Sequence, residues 1–193
     1  MNYLVDFFKN ICYKLGLWKK NAKIVFLGLD NAGKSTLLSV LKTGKVTQLD
    51  PTKHAQSEQL QIGKVNMNAF DLGGHSAMRK VWRDYYPKID AIVYLIDAAD
   101  PSRFEESKKE FDNIVNTNEL GNIPILILGN KIDKNGAVSE DELRTAFGLT
   151  TQGTFGAQKV DKLNSKPVEV FMCAIVKKSG FTEGFNWLTK NLP

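Results

Sequence analysis

The pattern of apolar and polar residues predicts a chain in which strands alternate with helices. Four runs are mostly apolar, which is typical of strands buried within a sheet. They lie at residues 23–27, 91–96, 123–128 and 168–172. Residues 58–62 and 65–70 instead alternate polar and apolar side chains on either side of Gly63-Lys64, and this alternation predicts a β-hairpin.

Segments with charged faces separate these strands and predict helices. They lie at residues 36–42, 76–86, 101–116 and 180–192, with one more helix opening at Ser139 and Glu142 as a capping box. Together the elements predict an α/β fold, with a mostly parallel six-stranded sheet flanked by helices. Ligands of such sheets bind beyond the carboxyl ends of the strands, so we expect the functional residues where motifs follow strands.

Residues 1–20 predict an amphipathic helix that precedes a domain of residues 21–193. One helical face carries apolar side chains, widened by aromatic ones: Leu4, Phe8, Ile11, Leu15, Tyr3, Phe7 and Trp18. An aromatic face flanked by lysines suits the lipid interface, so we expect this helix to bind a membrane. The alternative is a helix packed on the domain. A secretory signal is disfavoured, because Asp6, Lys9 and Lys14 interrupt any apolar core.

Composition and charge narrow the class of protein. The 193 residues, 42% hydrophobic and 24% charged, predict one globular domain, and no apolar run is long enough to predict a transmembrane helix. The net charge of +5 is concentrated in residues 1–20, where four lysines stand against one aspartate. This distribution favours a membrane surface over nucleic acid as partner. Cys12 and Cys173 lack metal-ligand or redox spacing, which favours reduced thiols in the cytosol. Asn2 gives no signal for myristoylation, so we expect the peptide itself to supply membrane attachment.

Residues 28–35 fit the phosphate-binding pattern G-x-x-x-x-G-K-[ST], between a predicted strand and a predicted helix. Gly28 and Gly33 allow the loop to curl so that backbone N–H groups point at phosphate oxygens. We expect Lys34 to reach the β- and γ-phosphates and the Ser35 hydroxyl to bind Mg²⁺. The expected nucleotide-binding residues of this segment are Asp30, Asn31, Ala32, Gly33, Lys34, Ser35 and Thr36.

A second motif, Asn130-Lys131-Ile132-Asp133, follows the predicted strand at 123–128 and indicates the base. The Asp133 carboxylate can accept two hydrogen bonds from the ring N–H and the exocyclic amine of guanine, a donor pair that adenine lacks. We expect the stem of Lys131 to lie over the base and Asn130 to brace the loops. The sequence therefore predicts GTP and GDP as ligands.

Three further positions predict a switch that responds to the γ-phosphate. Asp71 lies at the end of a predicted strand, 37 residues after Lys34. This is a suitable position for a carboxylate that holds Mg²⁺ through a water molecule. Thr52 lies in a polar segment between the first predicted helix and the hairpin, and we expect it to complete the Mg²⁺ shell. We expect the Gly74 N–H to donate a hydrogen bond to the γ-phosphate. His75 follows directly, and we expect it to orient the attacking water as the catalytic residue. The alternative for His75 is an exposed switch residue with no catalytic part.

These motifs resemble those of Ras-superfamily small GTPases. Asp71-Leu72-Gly73-Gly74 points to the Arf/Sar branch, and His75, the unlipidated N-terminus and residues 81–85, 170–173 and 184–188 resemble the Sar family. The resemblance implies that Ala174, Ile175 and Val176 form the last guanine-contact loop. The Ser-Ala-Lys of Ras is missing there, so backbone N–H groups are expected to make the contact.

The resemblance to the Sar family implies that this protein functions in vesicle transport. Sar proteins initiate the COPII coat at the endoplasmic reticulum, where a membrane-bound exchange factor loads GTP. The N-terminal helix then inserts into the bilayer, and the inner coat complex is recruited and stimulates hydrolysis. We expect the cytosol and the cytosolic face of the endoplasmic reticulum as locations, with Golgi membranes as a further one. Two alternatives stay open: an Arf-like GTPase of another membrane, and an ATP-dependent P-loop kinase, which has no use for Asp133.

Overall fold

The computed structural model describes residues 22–46, 56–62, 65–72, 74–149 and 167–193. The predicted N-terminal helix, the predicted turn at Gly63-Lys64, Thr52 and residues 150–166 lie outside the described residues. Within the described ranges, no helix has both the length and the apolar character needed to cross a membrane.

Six strands form one sheet in the described part of the chain, as predicted. They are β1 (Ala22–Leu27), β2 (Gln56–Ile62), β3 (Val65–Asp71), β4 (Ala91–Asp97), β5 (Ile125–Asn130) and β6 (Val168–Met172). The order is β2-β3-β1-β4-β5-β6, and every pairing is parallel except that of β2 with β3. The antiparallel pair confirms the predicted hairpin. The five parallel strands all point their carboxyl ends at one edge of the sheet.

Five α-helices flank the sheet in the described ranges. They are α1 (Lys34–Thr43), α2 (Ser76–Arg79), α3 (Phe104–Val115), α4 (Glu140–Phe147) and α5 (Phe181–Lys190). The predicted capping box opens α4, since the Glu142 N–H donates to the Ser139 hydroxyl and the Ser139 N–H donates to the Glu142 carboxylate. Each of the two side chains thereby accepts a hydrogen bond from a backbone N–H group that would otherwise be unpaired at the start of the helix.

Two of the predicted elements differ from the structure in ways that have a clear physical cause. The helix predicted over 76–86 is α-helical only to Arg79 and continues as a 3-10 helix over Lys80–Lys88, held by the buried side chains of Trp82 and Tyr86. The strand predicted at 123–128 runs from Ile125 to Asn130. Pro124 cannot donate to the ladder, so regular pairing begins after it. This shift carries Asn130 into the end of the strand.

A hydrophobic core lies on each face of the sheet. On one face α1 and α5 pack through buried apolar side chains, including Phe181, Phe185, Trp187 and Leu188. On the other face α3, α4 and the 3-10 helix pack through Trp82, Tyr94, Phe111 and Phe147. With apolar packing on both faces, β4 is buried along almost its whole length, as its apolar sequence predicts.

Candidate functional site

A cleft of about 400 Å³ lies at the carboxyl edge of the sheet. It is lined by Asp30, Asn31, Gly33, Lys34, Ser35, Thr36, Gly74, His75, Asn130, Lys131, Asp133, Lys134, Ile175 and Val176. Thirteen of these fourteen residues are predicted site residues, and the motif reasoning missed Lys134 alone. Ala32 and Ala174 are buried behind the lining, and Asp71 is described only through its backbone at the end of β3. Segments far apart in sequence thus meet at one edge.

The glycines of residues 28–35 are required by close packing. Gly28 has φ of 129°, and a Cβ there would lie 2.2 Å from the Leu95 carbonyl oxygen. Gly33 has φ of 104°, and a Cβ there would lie 2.4 Å from Asn130 Nδ2. Both values of φ belong to the region that side chains other than glycine rarely adopt. The loop can therefore approach its neighbours, and a ligand, only with glycine at these two positions.

Lys34 stands at the first turn of α1 with 5% of its surface exposed. Its Nζ donates hydrogen bonds to the carbonyl oxygens of Gly28 at 3.0 Å and Leu29 at 2.8 Å. These bonds place the ammonium against the phosphate-loop backbone. The first turn of α1 carries no acidic side chain, and the start of a helix carries partial positive charge. The arrangement is a positive site suited to phosphate.

Asn130 joins the three loops around the cleft. Its Nδ2 donates to the Ala32 carbonyl at 2.9 Å, and its Oδ1 accepts from the Ile175 N–H at 3.1 Å. The predicted bracing geometry is therefore present. The Ile175 N–H is thereby engaged within the protein, as is the Ala174 N–H, which donates to Ser179 at 3.0 Å. The guanine contact predicted for these two N–H groups stays a prediction.

The predicted Lys131 forms a charge pair at the cleft with Asp97, a residue that the motif reasoning missed. Lys131 Nζ lies 2.6 Å from Asp97 Oδ2, and both side chains are largely buried. Asp97 ends β4 opposite Asn130 in β5, so its position after a buried strand is the signal that could have found it. Asp133 is exposed at the rim of the cleft, accessible to a base. The pair holds the Lys131 side chain at the cleft, which Asp133 also lines.

The phosphate side is closed by Gly74, which packs directly on the phosphate loop. A Cβ at Gly74 would lie 2.1 Å from the Asp30 backbone nitrogen. His75 follows, exposed at the cleft, and its carbonyl accepts from the Arg79 N–H. The Asp30 carboxylate accepts from Arg103 at 2.9 Å. Burial alone would raise the pKa of Asp30, but the hydrogen bond and charge of Arg103 lower it, so the group is an anion at neutral pH.

The fold and the cleft define a P-loop nucleotide-binding protein. A phosphate loop lies between β1 and α1, an Asn-Lys-x-Asp loop follows β5, and a glycine after β3 closes on the phosphate loop. These features together are those of a small GTPase.

Comparison with known proteins identifies the family. The chain belongs to the ADP-ribosylation factor family, which it matches over residues 8–192, and members of this family hydrolyse GTP. It is 44% identical to the small COPII coat GTPase SAR1 of Giardia intestinalis, over 97% of this chain and 98% of that one. It is 45% identical to the SAR1 protein of Nicotiana tabacum over the same shares. ADP-ribosylation factor K of Dictyostelium discoideum is 35% identical, over 99% and 95%.

A solved structure shares the fold. The Arl6 BBS3 small GTPase of Trypanosoma brucei, with bound nucleotide analogue GppNp, superposes with a TM-score of 0.75 at 29% identity. The alignment covers 89% of this chain and 96% of that one. The resemblance inferred from the motifs is therefore confirmed, and the chain is a guanine-nucleotide-binding GTPase.

Proposed function

We propose that this GTPase is the switch that initiates COPII coat assembly on the endoplasmic reticulum. One observation carries the proposal. The chain is 44% and 45% identical to two proteins named small COPII coat GTPase over nearly their full length, whereas the ADP-ribosylation factors reach 32–35%. A third protein of that name, SAR1B of Dictyostelium discoideum, is 36% identical, so all three coat GTPases match this chain at a higher identity than these ADP-ribosylation factors do. This ranking favours the coat GTPases as functional relatives.

In this proposal the nucleotide occupies the 400 Å³ cleft with its phosphates at the start of α1. Lys34 and the backbone of residues 30–36 bind the phosphates, and Lys131 and Asp133 bind guanine. Hydroxyl and carboxylate oxygens are the ligands that Mg²⁺ prefers, and Ser35 borders the cleft beside Lys34. The donor set of Ser35, Thr52 and Asp71 therefore fits Mg²⁺, which would neutralise charge on the β- and γ-phosphates.

Hydrolysis in this proposal depends on Gly74 and His75. The Gly74 N–H bonds the γ-phosphate, and His75 orients the attacking water by hydrogen bonding. His75 is exposed and lines the same cleft as Lys34 and Ser35, which supports this role. Loss of the γ-phosphate would remove the bond that orders Gly74 and the segment containing Thr52, and so turn the signal off.

The proposal assigns membrane binding to residues 1–20. GTP loading by a membrane-bound exchange factor would release the amphipathic helix into the cytosolic leaflet of the endoplasmic reticulum, with Golgi membranes as a further location. The inner coat complex would then bind the GTP form and supply a GTPase-activating arginine. The predicted partners are thus nucleotide, lipid, exchange factor and coat.

A nucleotide competition titration tests the guanine assignment. We expect unlabelled GTP to displace fluorescent GDP and ATP to fail, because adenine leaves the Asp133 carboxylate unpaired. Asp133→Asn should weaken guanine binding, while Asp141→Asn, an exposed change in the first turn of α4, should leave it unchanged. Displacement by ATP at the same concentration as GTP would instead support a kinase.

Liposome flotation tests the membrane and coat assignments. The full chain with a non-hydrolysable GTP analogue should float with vesicles of endoplasmic reticulum lipids and recruit the inner coat complex, and the GDP form should not. Deletion of residues 1–20 should abolish flotation and preserve nucleotide binding. Flotation that survives the deletion would refute the membrane role, and GTP-dependent flotation without coat recruitment would favour an Arf-like GTPase of another membrane.

A further inference from the structure

Charged side chains link the phosphate loop to the segment that follows Gly74 through helix α3. Glu106 on α3 accepts from two arginines, from Arg79 Nη2 at 2.6 Å on Oε1 and from Arg103 Nε and Nη2 at 3.1 and 3.0 Å on Oε2. Arg103 also donates to Asp30, at 2.9 Å to the carboxylate and 3.2 Å to the backbone carbonyl. Two loops of the cleft are therefore tied to one carboxylate.

Arg79 links these charged side chains to the peptide that joins Gly74 and His75. Its Nε donates to the Gly74 carbonyl at 2.7 Å, and Nη1 donates to Glu110 at 3.1 Å. With Glu106 on Nη2, each nitrogen of the planar guanidinium has an acceptor, so the plane of the group is set by three partners. Only 9% of the Arg79 side chain is exposed.

The bond to Gly74 has a consequence for His75. The Gly74 carbonyl and the His75 N–H belong to one planar peptide group. A hydrogen bond that fixes the carbonyl oxygen therefore also fixes the orientation of the His75 backbone N–H. Gly74 is also seated on the backbone of Asp30, where a Cβ would approach to 2.1 Å. The peptide is thus held from both sides, by van der Waals packing on the phosphate loop and by hydrogen bonding to Arg79.

We propose that Arg79 and Glu106 are positioning residues for GTP hydrolysis, which hold the Gly74–His75 peptide against the phosphate loop. This inference rests on the roles proposed above for Gly74 and His75. Arg79 orients the peptide directly, and Glu106 fixes Arg79 while tying it, through Arg103, to the loop that holds the phosphates.

The protonation states of the linked groups agree with this arrangement. Hydrogen bonding from Arg79 lowers the pKa of Glu106, more than its slight burial raises it. Burial lowers the pKa of Arg79, and the hydrogen bonds that it donates to Glu106 and Glu110 raise that pKa above its ordinary value. Arg79 and Glu106 therefore stay charged across the neutral range. Exposed ion pairs contribute little, but the Arg79 side chain is only 9% exposed and donates three hydrogen bonds, unlike the exposed pair Lys108–Asp112 on α3.

Single-turnover hydrolysis by the full chain tests the inference. Arg79→Lys loses the planar fork, and Glu106→Gln loses the charge and one acceptor. We expect each to lower the rate constant about tenfold or more, because a displacement of about 1 Å costs up to about 100-fold. The dissociation rate of fluorescent GDP should stay within about twofold. Glu105→Gln, an exposed neighbour on α3, is the matched control and should hydrolyse GTP at the wild-type rate.

A double variant separates this inference from the proposed role of His75. If Arg79 acts through His75, then Arg79→Lys should cause no further loss once His75→Gly has been introduced. If His75→Gly alone leaves hydrolysis unchanged and Arg79→Lys lowers it, the role of His75 fails and the positioning of Gly74 stands. The inference is overturned if Arg79→Lys and Glu106→Gln both hydrolyse GTP within twofold of wild type, or if GDP retention falls in step with hydrolysis.

Discussion

Replacing Asn130 with alanine should destabilise the protein by disconnecting three loops at once. Asn130 is 3% exposed and bonds Ala32 and Ile175, both of which are themselves buried. The alanine variant leaves one carbonyl and one N–H without a partner, each at a cost of about 1–3 kcal/mol. Ile175 borders the cleft, so water can satisfy part of this loss. We therefore expect the free energy of unfolding to fall by about 2–3 kcal/mol.

The assay is urea unfolding followed by tryptophan fluorescence, repeated over a series of GDP concentrations. GDP binds only the folded state, so weaker GDP binding by the variant adds to the difference in unfolding free energy from wild type. This added difference grows with GDP concentration. The difference in unfolding free energy that remains at the lowest GDP concentration reports the loss of the Asn130 hydrogen bonds themselves. The m-value should not change, since the fold is the same.

Asn113→Ala serves as the matched control, because Asn113 is exposed on α3. Its unfolding free energy should stay within about 0.5 kcal/mol of wild type. A change of less than about 0.5 kcal/mol for Asn130→Ala would refute the reasoning, since two buried groups would then have lost their partners without cost.

Two other changes probe single features of the fold. Gly74→Ala should weaken GTP binding more than GDP binding, because its Cβ collides with the phosphate-loop backbone and forces apart the segments that the γ-phosphate joins; equal losses for both nucleotides would contradict this. Burial raises the pKa of Cys173 to about 12, so in a Cys12→Ser variant a thiol reagent at pH 8 should label the chain only after unfolding, and rapid labelling of the folded form would show that the thiol is accessible. Arg144→Met should cost about 3–5 kcal/mol by leaving the buried Glu169 carboxylate without its arginine, whereas adding Glu169→Leu should recover most of the loss in a thermal melt.

Local patterns in the sequence were enough to predict the sheet and most of the cleft. The phosphate loop and the Asn-Lys-x-Asp motif are defined by residues a few positions apart, and each follows a strand whose apolar run is plain. Parallel strands bring their carboxyl ends to one edge, so the meeting of these motifs followed from the order of the elements. The exact start of β5 did not, because the apolar run continues through Ile123 and Pro124 and only pairing with β4 decides where the ladder begins.

What the tertiary structure alone decided is the set of side-chain partners around the motifs. Arg103 meets Asp30 across 73 positions of the chain, and Asn130 meets Ala32 across 98. No spacing rule connects residues so far apart, because their contact depends on how α3 and β5 pack against the phosphate loop. The sequence by itself determined which chemical groups are predicted to bind a guanine nucleotide. The packing of helices on the sheet determined which arginines and carboxylates hold those groups in place.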